Sequence, residues 1–150
     1  DPSGVSSRRD VLSRAELRAE YATADCFVLP TRGEGFNLPT AEAMAMGVSA
    51  VIVTNFSGPA DFIGDGPDGV SVALPLQVDG TITHASGLVE PSRDHLQSLM
   101  KQAHAQRGTE EARRRGVAAR SRILERFSPA TVAAVVAAEL EHVLLEAAAN

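Results

Sequence analysis

The chain has 150 residues, 44% of them hydrophobic, with a formal net charge of -5. That length and apolar content support one domain with a real core, and the acidic balance excludes a general nucleic-acid binder, which carries a basic excess. Its single cysteine, Cys26, rules out an internal disulfide, and no apolar run approaches the roughly 20 residues that a membrane-spanning helix needs. The first residues, Asp1 to Ser13, are mostly polar and lack a signal-peptide core, which together with the lone cysteine points to a reducing, cytoplasmic setting. Ser13 and Glu16 then form a capping box flanked by Leu12 and Leu17, so a helix is expected from about Arg14 to Ala22. Cys26 to Leu29 reads as a short buried strand ended by Pro30, with Cys26 a packing thiol.

The next stretch, Arg32 to Gly47, holds the chemistry. Glu34 sits in a glycine-containing loop, and Glu42 follows eight positions later, about one turn into a helix expected from Pro39 to Met46. A loop between a strand end and a helix start gathers unpaired N–H groups and the positive end of the helix dipole, and both favour a phosphate. Carboxylates accept paired hydrogen bonds from vicinal hydroxyls, which suits a sugar on one side and a ribose on the other, with both glutamates able to face one crevice. A second buried strand is expected from Ala50 to Val53, and strand, helix and strand in that order make a right-handed parallel unit.

Asn55 to Asp61 is read as another turn at the same sheet edge, with Ser57 as a cap and Pro59 in a first helical turn; it forms either the other lip of the cleft or a plain connection. Gly64 to Gly69 is turn chemistry, and Val70 to Leu74 a short third strand. Pro75 to Val89 is a small hairpin near Val78 to Thr83 or a long excursion, with His84 on its surface. A helix starts at Pro91-Ser92 with Leu96, Leu99, Met100 and Ala103 on one side. Another runs from about Thr109 to Phe127, and a last one from Ser128-Pro129 to about Ala148, with Val132, Val135, Val136, Leu140, Val143 and Leu144 along one face. The arginines from Arg107 to Arg126 alternate with Glu110, Glu111 and Glu125 and read as a solvated helix face. No His, Cys or acidic spacing supports a metal site.

The stretch from Arg32 to Gly47 resembles the paired-glutamate motif of retaining GT-B glycosyltransferases of glycosyltransferase family 4. Leu17 to Leu29 and Val51 to Asp61 are similar to the family's flanking helix and strands, so the specific resemblance covers about Leu12 to Asp61. It departs at Asn37, where the family has glycine, and at Ser49, where it has proline; asparagine tolerates left-handed backbone, so the loop is expected to survive. The resemblance implies an α/β fold: a Rossmann-like parallel sheet with flanking helices over about 12–90, followed by a helical C-terminal tail over about 91–148. It would be a partial, single nucleotide-sugar-binding domain from the C-terminal half of a GT-B enzyme. It further implies that Glu34 contacts the donor sugar as the catalytic-site carboxylate, that the amides of Gly35, Phe36, Asn37 and Leu38 face sugar and diphosphate, and that Glu42 holds the ribose. The donor would be a nucleoside-diphosphate sugar, the acceptor is open, and no cofactor or metal is expected. The acceptor-binding N-terminal half and the family's arginine and lysine that neutralise the diphosphate would lie outside these residues. Two alternatives stand beside the transferase: a noncatalytic module retained for partner binding, and a GT-B sugar-nucleotide epimerase relative.

Overall fold

The structure, a computed structural model, describes residues 11–66, 69–79 and 87–148. Helix α1 (Arg14–Thr23) begins at its capping box: the Ser13 N–H donates to Glu16 Oε2 at 2.8 Å, and the Glu16 N–H donates to Ser13 Oγ at 3.3 Å. Strand β1 (Cys26–Leu29), helix α2 (Leu38–Ala45) and strand β2 (Ala50–Thr54) follow, each at or next to its expected bounds. With β3 (Leu74–Leu76) they build a parallel sheet in the order β1-β2-β3, in which Cys26 pairs with Ala50 and Ile52 with Leu74. Three helices complete the chain: α3 (Arg93–Ala105), α4 (Glu110–Phe127) and α5 (Pro129–Ala148), capped by Ser92, Thr109 and Ser128. Among the described residues no helix is long and apolar enough to cross a membrane.

Strand alternation sorts the side chains into two cores. Val51 and Val53 of β2 point to one face, where they pack with Ala43 and Met44 of α2 and Ala119 and Ile123 of α4. Ala50 and Ile52 point to the other, with Leu74, Leu76 and the α3 residues Leu99 and Ala103. All five residues of β2 are buried, as a parallel strand covered by helices on both faces must be. Cys26 is half-buried at the rim of the second core, and burial, then the neighbouring Asp25 charge, raises its thiol pKa.

Several expectations need correction. The third strand lies at Leu74–Leu76, not Val70 to Leu74, because Ser71 forms an isolated antiparallel bridge with Asp65 and its hydroxyl donates to the Ala73 carbonyl at 2.6 Å, bending the chain. Pro75 is tolerated since β3 ends the described sheet and has no partner on its outer side. Val78 belongs to a two-residue strand, β4 (Val78–Asp79), whose antiparallel partner among the described residues is the distant β5 (Glu90–Pro91). Thr83 and His84 lie outside the described residues. Met100 is 50% exposed, so the buried stripe of α3 is narrower than its spacing suggests.

The arginine run is also no simple solvated face. Arg115 is only 4% exposed, with Nη2 donating to Gln106 Oε1 at 2.8 Å and Nη1 to the Ser49 carbonyl at 3.4 Å. Arg122 and Arg126 donate to the carbonyls of Asp65 and Asp61, each at 2.6 Å, and Arg120 donates to that of Ala45. These cations fasten α4 across backbone carbonyls that the turns leave unpaired. Gly116 makes the approach possible: a Cβ there would lie 2.5 Å from the Gly47 carbonyl oxygen.

Candidate functional site

The loop from Pro30 to Asn37 leaves β1 at its carboxyl end and delivers the chain to the start of α2. Its backbone orientation is set from outside. The Thr31 carbonyl accepts from the Thr54 hydroxyl at 2.7 Å, and the Arg32 carbonyl accepts from the Val89 N–H at 3.0 Å. The Glu34 carbonyl accepts twice, from the Ser57 hydroxyl at 2.7 Å and the Gly58 N–H at 3.1 Å. The N–H groups of Gly35, Phe36, Asn37 and Leu38 find no acceptor among the described residues. Four consecutive donors at a helix start have the chemistry to hold an anion.

Asn37 occupies the left-handed region, φ 74° and ψ 67°, as its tolerance of that backbone allows, and its Oδ1 accepts the Thr40 N–H at 3.1 Å to cap α2. It is 4% exposed, and both its Nδ2 and the Thr40 hydroxyl are buried without a hydrogen-bond partner among the described residues. Phe36 contributes its amide to the loop but commits its ring elsewhere, 5.2 Å from the Phe62 ring and 5.1 Å from that of Phe127 between centroids. That aromatic cluster ties the loop to the end of α4. Leu38 is 65% exposed beside the loop.

The two glutamates are not brought into one cavity. Glu34 is half-buried and lines a cavity of about 540 Å³ with Arg32, Glu90 and Arg93, in which Arg32 and Glu90 form an ion pair at 2.8 Å. Glu42 is exposed and lines a separate cavity of about 390 Å³ with Arg14, Arg18 and Tyr21. The Tyr21 hydroxyl donates to Glu42 Oε2 at 3.1 Å. Burial, then the hydrogen bond to Glu42 and its charge, push the Tyr21 pKa up to about 12. Sequence reasoning missed Tyr21, because a tyrosine inside a surface helix carries no signal of the carboxylate it will meet across the fold. Ser57 stands at the expected N-cap position, with Pro59 in the first turn after it. The serine precedes a 3-10 turn at Gly58–Asp61 but makes no side-chain cap, since its hydroxyl is already engaged by Glu34.

Residues 3–90 match the family described as Glycosyl transferases group 1. The chain belongs to that family. The parallel α/β core agrees with a partial GT-B domain. The chain is also 34% identical over 140 residues to the MMP alpha-(1->4)-mannosyltransferase of Mycolicibacterium hassiacum, an alignment covering 92% of this chain and 29% of that relative. It therefore spans less than a third of the length of the relative it matches. No solved structure matches it.

Proposed function

We propose that this chain is the donor-binding part of a retaining glycosyltransferase that moves a sugar from a nucleoside-diphosphate sugar to an acceptor. The observation that carries the proposal is the row of four loop amides, Gly35 to Leu38, without acceptors among the described residues and bracketed by Glu34 and Glu42. As the donor bond breaks, positive charge develops on the anomeric carbon and negative charge on the diphosphate. Fixed amides stabilise the leaving group at no cost in reorganisation, so no metal is required for that task. Glu34 orients the sugar and Glu42 the ribose, and together they fix the donor for transfer. A donor reaching both must pass over the loop from one cavity to the other, and the amide row lies between the two glutamates in sequence. The mannosyltransferase relative makes mannosyl donors the first to test.

Calorimetry with a panel of nucleoside diphosphates and their sugars, on the protein at the full length its gene encodes, tests the roles. Glu42→Ala is expected to weaken binding of every nucleotide about tenfold or more, as loss of a charged hydrogen bond does. Glu34→Ala should weaken only the sugar-bearing ligands, or lower turnover. Both variants fold normally, because neither carboxylate belongs to the core. Unchanged affinities and turnover in both would remove the assignment.

A further inference from the structure

Ser57 holds a backbone conformation that only glycine adopts readily, φ 60° and ψ -144°, on an exposed loop where nothing in the core demands it. The next residue, Gly58, lies so close to the Glu34 loop that a Cβ there would collide with Gly35 O and lie 2.6 and 2.8 Å from Gly35 C and Phe36 Cα. Backbone touches backbone, and no side chain can yield. The unusual conformation has a result: it brings the Ser57 hydroxyl and the Gly58 N–H to the same acceptor, the Glu34 carbonyl.

We propose that Ser57 and Gly58 are positioning residues for the donor loop, a clip that aims the Gly35 amide outward. The Glu34 carbonyl and the Gly35 N–H belong to one planar trans peptide and point in opposite directions. Two donors that draw the carbonyl toward Ser57 therefore turn the N–H away from it, toward the exposed side of Gly35. The clip sets the first amide of the anion-binding row and leaves the remaining three to the left-handed turn at Asn37. Backbone strain at Ser57 is the cost of presenting hydroxyl and amide side by side. Thr54, the last residue of β2, repeats the device three residues earlier, its hydroxyl holding the Thr31 carbonyl, so the end of β2 and the turn after it govern the loop after β1 at two points.

The inference rests on the donor reading for its functional consequence, but not for its geometry, and the test separates the two. Ser57→Gly removes the hydroxyl and relieves the strain, so the melting temperature should hold or rise while affinity for uridine or guanosine diphosphate falls about fivefold, the effect of one lost hydrogen bond. A residue with a merely structural role would move both readouts together. Ser57→Gly with unchanged diphosphate affinity would overturn the clip. If the wild-type protein binds neither diphosphate, the donor reading fails, and the clip is decided by crystal structures of wild type and Gly58→Ala. A displaced or flipped Glu34-Gly35 peptide in the variant supports it, and a superimposable loop overturns it.

Discussion

The two longest helices reverse what their compositions suggest. Helix α4 is rich in arginine and glutamate, yet buries Ala112, Arg115, Gly116, Ala119 and Ile123. Helix α5 is rich in alanine, valine and leucine, yet has no buried residue. Val135 is 64% exposed and Leu144 68%, although both lie on the apolar stripe. The difference is a partner. Helix α4 has a glycine where the α2 turn must approach and guanidinium groups where carbonyls need donors, whereas α5 touches α4 and extends beyond it. Burial follows from complementary surface, and an apolar face without one stays exposed.

The comparison breaks most sharply at Gly116. Replacing it with alanine puts a methyl against the Gly47 carbonyl, and chemical unfolding should show a loss of about 1–3 kcal/mol, the usual cost of overpacking a tight contact. A wild-type midpoint would mean that the contact between α4 and the α2 turn does not organise the core.

A smaller effect on folding, with a larger one on association, is expected from α5. The 150-residue chain by itself should self-associate and bind hydrophobic dye through the exposed stripe. Val136→Ser with Leu140→Ser should reduce the associated fraction in sedimentation while changing folding stability by less than about 0.5 kcal/mol, as surface substitutions do. Unchanged association would place the sticky surface elsewhere.

The smallest effect concerns Tyr21, the only tyrosine of the sequence. Its folded pKa is pushed up to about 12 from the ordinary 10.0, so the folded state favours the neutral phenol. The associated stability is complete below the unfolded pKa and is lost as pH rises from 10.0 through about 12. Phenolate absorbance of the native protein should therefore titrate later than that of the unfolded chain. Glu42→Gln should bring the midpoint down by removing the charge beside the phenol. An unshifted native titration would show that Tyr21 and Glu42 do not meet.

Local signals carried much of this architecture. The Ser13 capping box, the apolar run from Cys26 to Leu29 and the helix formers after Pro39 each specify structure within a few residues, and each element stands where expected. The left-handed Asn37 and the places of Glu34 in the loop and Glu42 on α2 were legible for the same reason, but not that the two glutamates line separate cavities. What escaped depends on contacts between distant residues. Nothing near Ser57 in sequence says that its hydroxyl will engage Glu34, and nothing beside Arg115 says that Ser49 and Gln106 will surround it. Likewise, Val70 to Leu74 has a strand composition, but the bridge between Asp65 and Ser71 wins that segment, and Pro75 enters an edge strand that a proline would ordinarily terminate.

We propose that the amides of Gly35 to Leu38 hold the donor diphosphate. A crystal structure of the full-length protein with a nucleoside diphosphate tests it most directly. Phosphate oxygens are expected within about 3 Å of at least two of those nitrogens, with the ribose hydroxyls on Glu42. A nucleotide bound with its phosphates away from this loop, leaving the four amides to solvent, would contradict it.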